Sequence, residues 1–182
     1  MSHELETIRE WVHALPADVE VVKAVLDTEA VPTEARKLAA GALNYLVTRL
    51  DLIPDWNPDI GLIDDVLVLR VCMEMAAAHG VIAALPDSAR REVARLANQV
   101  DTVRTLLGPD LTESLRRHCR RLVDQVVHGR SASALVRDAA TRTALYGDVA
   151  ADLERRSDIT ATDLDEVERR LRSYLHHKLS GA

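Results

Sequence analysis

Phenylalanine is missing from this chain, and aromatic residues are scarce altogether, with two Trp and three Tyr. A core built from such a sequence is aliphatic, and its helices can approach closely wherever Ala faces Ala. Turn formers are few as well: seven Gly and six Pro in 182 residues. An all-β fold needs a turn every few residues, so that supply argues against one. Cysteine is limited to Cys72 and Cys119, both within predicted helices. Two isolated cysteines form neither a metal nor a redox motif, and a reducing compartment is their natural setting. The opening Met1-Ser2-His3-Glu4-Leu5-Glu6 lacks the basic start and apolar run of a secretory signal. A cytoplasmic location is expected.

Positive charge is short in one half only. Residues 1–86 hold 6 Lys and Arg against 14 Asp and Glu, whereas residues 87–182 hold 17 against 15. An acidic front half disfavours nucleic acid as a partner, because a phosphate backbone needs a basic face. The same shift marks off N-terminal helices (1–86) from a C-terminal helical layer or extension (87–182), either a separate layer or part of the same domain, with Pro86 near the seam. The most apolar run, Val66 to Leu85, is about as long as a membrane span. Arg70 and Glu74 lie within it four residues apart, and a helical ion pair between them fits a buried helix better than a span.

What is present is helical periodicity. Leu5, Ile8, Trp11, Val12 and Leu15 mark a first amphipathic helix that Pro16 should end, and Val21, Val22, Val25 and Leu26 mark a second. A third runs from Thr33 to about Thr48, with Leu38, Ala42, Tyr45 and Leu46 inside and Lys37 and Asn44 elsewhere. A fourth, from near Leu62, is apolar nearly all round and should sit at the centre. Pro86-Asp87-Ser88 starts a helix reaching about Leu107. Gly108-Pro109 starts the next, to about Val127. Ser131 opens another through Leu145, and Asp163-x-x-Glu166 has the spacing of a capping box before the last. No strand pattern is found. The expectation is an all-α bundle of about eight helices.

Between the third and fourth helices lies the densest stretch of polar signals. Asp51-Leu52-Ile53-Pro54-Asp55-Trp56-Asn57-Pro58-Asp59-Ile60-Gly61-Leu62-Ile63-Asp64-Asp65 holds five carboxylates, two prolines and a glycine. Pro54 and Pro58 keep a helix from continuing and bias their predecessors towards extended geometry. Asp55 and Asp59 suit turns, and Gly61 permits a tight approach or a positive φ. Asp64 and Asp65 fall in a first helical turn, where a negative charge gains roughly 0.3–1 kcal/mol. A rigid corner accounts for all of this. Repulsion among the carboxylates is left over. Asp51, Asp55, Asp64 and Asp65 could converge as oxygen ligands for Mg²⁺ or Ca²⁺, although the spacing matches no EF-hand loop.

The Tyr45-bearing helix, Asp51-Leu52-Ile53-Pro54-Asp55, Pro58, Gly61, Asp64-Asp65 and the apolar helix after them resemble, in order and spacing, the YkvA-like domain (DUF1232). This is a small bacterial helical module of unknown function, and the likeness covers about residues 39–80. Arg49 stands where the family usually has Pro, and Asp59 where an aliphatic residue is usual. The resemblance implies membership and no activity, so no catalytic residue is carried over.

Other features are weaker. Arg116, Arg117, Arg120 and Arg121 share a helix side that could meet phosphate or an acidic partner, with a solvated face as the simpler reading. Trp56, between two prolines, is either a plug over the core or a contact surface. His176-His177 lacks the partners of a zinc site, and no triad, phosphate loop or metalloprotease motif is present. The leading expectation is a non-enzymatic interaction or scaffolding module with a protein partner or self-association and no cofactor. Its rivals are a cation-dependent phosphoester hydrolase using the aspartates and a peripheral membrane adaptor.

Overall fold

The computed structural model describes residues 3–48, 52–53, 60–155 and 164–180. They form α1 (His3–Asp27), α2 (Thr33–Leu46), α3 (Ile63–Ala78), the single turn α4 (Val81–Ala84), α5 (Asp87–Asn98), α6 (Val100–Leu107) and α7 (Pro109–Leu122). A two-stranded hairpin, β1 (Val126–Val127) and β2 (Arg130–Ser131), then leads to α8 (Ala132–Arg137), α9 (Ala139–Arg155) and α10 (Leu164–Ser180). The protein is all-α, as its periodicity implies.

α2 and α3 make the centre. α3 is buried on all sides from Ile63 to Met73, and α2 from Leu38 to Leu46. α1 packs on both, while α5, α6 and α7 lie against α3. α8 and α9 cover α2, and α10 rests on α7. Gly41 lets α2 meet the end of α7: a Cβ there would stand 3.3 Å from Leu122 Cβ. One cluster of buried apolar side chains runs from Leu5 on α1 to Leu179 on α10. No helix among the described residues is long and apolar enough to cross a membrane.

Several local expectations are corrected. Pro16 lies inside α1 instead of ending it. An interior proline loses one backbone bond and costs about 3 kcal/mol. The buried stripe Ile8, Trp11, Val12, Leu15, Val19 and Val22 continues past it and holds the helix together. The helix expected over 86–107 breaks at Gln99, and the one expected over 131–145 breaks at Asp138. Asp138 caps α9 by accepting from Thr141 N at 2.8 Å, and its bonds to Thr141 lower its pKa. Ser131 caps α8 as expected.

The segment expected to be helical up to Val127 turns instead into the hairpin. His128 and Gly129 both have positive φ, at 49° and 78°, between the paired Val127 and Arg130. That is the signature of a type I′ turn. Asn44, placed outside by periodicity, is buried and donates to the Arg130 carbonyl at 3.2 Å. The Asp163 capping box lies outside the described residues.

Arginines from the second half stitch the acidic first half. Arg95 pairs with Asp18 at 2.6 Å, Arg116 with Glu74 at 2.6 Å and Arg142 with Asp27 at 2.9 Å. The uneven charge along the chain is thereby matched in space.

Candidate functional site

The corner between α2 and α3 is closed by a hydrogen-bond chain. Tyr45 sits on the last turn of α2 and Asp64 on the first turn of α3. The Tyr45 hydroxyl donates to Asp64 Oδ2 at 2.5 Å and accepts from Leu52 N at 2.8 Å. The same Asp64 oxygen accepts from Ile53 N at 3.0 Å. Backbone N–H groups in a connection cannot use a helix ladder, and left unpaired inside a protein they cost about 1–3 kcal/mol each. One phenol and one carboxylate solve that problem for Leu52 and Ile53, both buried.

Electrostatics fit a structural role for this chain of bonds. Burial, then the charges of Asp64 and Asp65, push the Tyr45 hydroxyl well above the usual phenol range. Tyr45 is therefore a fixed neutral donor at any physiological pH. Asp64 and Asp65 are each 1% exposed, at a helix N-terminus where negative charge is favoured. Gly61 is buried in the turn that Ile63 N closes onto the Ile60 carbonyl at 3.0 Å.

His118 of α7 stands edge-on to the Tyr45 ring, centroids 5.8 Å apart. Burial, then Arg121, lowers the His118 pKa to about 4. Its Nε2 is buried without a partner, so the neutral ring is what the site accommodates.

Asp51, Pro54, Asp55, Trp56, Pro58 and Asp59 lie outside the described residues. Of the four candidate oxygen ligands, the described ones are Asp64 and Asp65, both near enough to Tyr45 to act on its hydroxyl. Among the described residues no three His, Cys, Asp or Glu gather as a metal-ligand set.

The α7 arginines do not act alike. Arg116 turns inward to Glu74, Arg117 bonds Ser114 at 2.7 Å, and Arg120 reaches Glu113 at 3.3 Å. Arg121 is exposed beside His118.

A second polar cluster was not anticipated. Arg70 does not pair with Glu74; it is fully buried and donates to Asp18 at 2.7 Å, Gln99 at 2.8 Å and the Val66 carbonyl at 3.1 Å. Its guanidinium lies 4.1 Å from the Trp11 ring centroid, within cation–π range. Burial lowers the Arg70 pKa to about 10, with Asp18 opposing. Burial also works against the Arg95 charge, but bonds to Asp18 and Glu92 outweigh it and raise its pKa. The readable clue was a pair of opposite charges, each alone on an otherwise apolar face: Asp18 among Leu15, Val19 and Val22, and Arg70 among Val66, Leu67, Leu69 and Val71.

The two cysteines, distant in sequence, also meet. Burial, then the neighbouring Cys72 thiol, raises the Cys119 thiol well above the ordinary range. Both are buried and free, and the raised pKa keeps Cys119 a thiol.

Residues 35–70 match the family model Protein of unknown function (DUF1232). The DUF1232 match runs from the first turn of α2, through Tyr45 and Asp64, to Arg70. It therefore covers nearly all of α2, the first half of α3, the bond chain between them and the buried arginine. No curated protein and no solved structure matches the chain.

Proposed function

We propose that this protein is a non-enzymatic interaction or scaffolding module, with the DUF1232 segment as a rigid corner that fixes its two central helices. One observation carries the reading: the Asp64 carboxylate is buried and gives one oxygen to both Tyr45 and Ile53 N. A carboxylate engaged in this way defines a fold, whereas a general base or a labile ligand needs access to its substrate. The bonded Tyr45, the half-buried neutral His118 and the paired Asp18 support the same view. Val126, at 64% exposure, is the exposed large hydrophobic residue among those described. This favours polar protein contacts over insertion into a lipid surface.

The competing reading gives Asp51, Asp55, Asp64 and Asp65 a divalent cation. Thermal unfolding in EDTA, Mg²⁺, Mn²⁺ and Ca²⁺ separates the two, because any ligand of the native state raises its stability. The corner reading expects no saturable shift with any cation, and a lower melting temperature for Asp64→Asn in every buffer. A cation-dependent rise in the native protein that Asp64→Asn and Asp65→Asn abolish would replace the scaffold by a metal site.

A further inference from the structure

Away from the corner, an open groove of ≈ 340 Å³ lies where the start of α2 meets the ends of α3 and α7. Leu38, Met75 and Val123 supply its apolar surface; Glu34, Lys37, His79, Arg120 and Asp124 supply its polar rim. The rim charges are not equivalent. Lys37 is held by Glu34 at 2.9 Å, and Arg120 by Glu113 at 3.3 Å. Asp124 has no partner cation among the described residues.

Two helices end here, α3 beside His79 and α7 beside Val123. Each C-terminus contributes roughly half a negative charge. The N-terminus of α2 offsets about one of them. With the two ion pairs neutral, the local balance is set by Asp124 and the remaining helix end, and it is negative.

We infer that this groove is a binding site for a small organic cation carrying a short alkyl chain. The chain lies on Leu38, Met75 and Val123, and the cationic head faces Asp124. The volume suits a compact ligand of this kind. An anion would meet Asp124 and two helix C-termini, and the charges of Lys37 and Arg120 are already engaged by Glu34 and Glu113. Nothing in this assignment depends on the corner or on whether the protein is a scaffold.

The test uses the full chain with ¹³C-labelled methionine methyls. Met75 lines the groove, while Met73, fully buried in the core, serves as the internal reference. Hexylguanidinium chloride should move the Met75 methyl resonance saturably and leave Met73 still. Sodium hexanoate, of equal chain length, should move neither. Asp124→Asn, an exposed change that leaves the fold intact, should weaken hexylguanidinium binding about fivefold, the size expected for one partly screened charge. The assignment is overturned by hexanoate saturating the Met75 shift, by no saturable response to hexylguanidinium, or by equal affinity in Asp124→Asn.

Discussion

Tyr45 and Asp64, nineteen residues apart, share a buried hydrogen bond of 2.5 Å that joins the end of α2 to the start of α3. Deleting the phenol oxygen removes a donor from Asp64 and an acceptor from Leu52 N in one step. Each orphaned group costs about 1–3 kcal/mol when water cannot reach it. Tyr45→Phe should therefore lower unfolding stability by about 2–4 kcal/mol in urea titration. Tyr174→Phe on α10, with no such bond, should change it by about 0.5 kcal/mol or less. Similar losses in both variants would mean that the phenol oxygen of Tyr45 carries no special load.

His118 gives the corner a pH response. Its pKa falls from 6.5 in the unfolded chain to about 4 in the folded one. Between those values the unfolded chain binds more protons, so stability is full above pH 6.5 and is lost as pH falls towards 4. The shift sets a ceiling of about 3 kcal/mol, and residual solvent contact of the ring reduces it towards 1–2 kcal/mol. Other groups titrate in this range too. The readout is therefore the difference between native protein and His118→Gln, each measured at pH 7.0 and 4.5. The native protein should lose about 1–2 kcal/mol more than the variant.

The helices were legible because apolar residues recur every three to four positions, and α3 could be placed at the centre because no face of it is polar. The features that escaped depend on partners distant in sequence. Pro16 looks like a stop until the stripe from Ile8 to Val22 is seen to pack as one. Asn44 looks like a surface residue until the Arg130 carbonyl arrives, 86 positions away. Arg70 and Glu74 have ideal helical spacing, but a buried Asp18 and an Arg116 on another helix compete for them and win. At the corner, the residue types were readable and the chemistry was not. Asp64 could be read as a ligand or as a cap, and only the positions of Tyr45 and Ile53 N show how its oxygen is used.

The second half of the chain covers α3 and supplies Arg95, Arg116 and Arg142 to acids of the first half. A chain truncated after Leu85 would expose the faces of α3 that meet α5, α6 and α7. Apolar area on that scale drives association in water. Such a chain is expected to aggregate or to populate oligomers in size-exclusion chromatography. A soluble, monomeric and cooperatively unfolding fragment would instead establish residues 1–85 as an independent domain.

Asp18 and Arg70 form a fully buried ion pair, with Arg95 on the second Asp18 oxygen. Removing one member of such a pair is costly, typically about 3–5 kcal/mol, because the other charge stays buried without compensation. Asp18→Leu leaves the Arg70 charge deep in the core and should approach that range. Arg70→Met should cost less, since Arg95 still neutralises Asp18. The double variant removes both charges and keeps the apolar volume, so its loss should fall well short of the sum of the singles. A double-mutant cycle in urea should give a coupling of at least about 2 kcal/mol. Trp11, stacked on Arg70, reports on the same cluster by fluorescence, and its emission should change in Arg70→Met even where the fold persists. Additive single effects would show that the pair is not coupled, and that the cluster is held by packing around Trp11 instead.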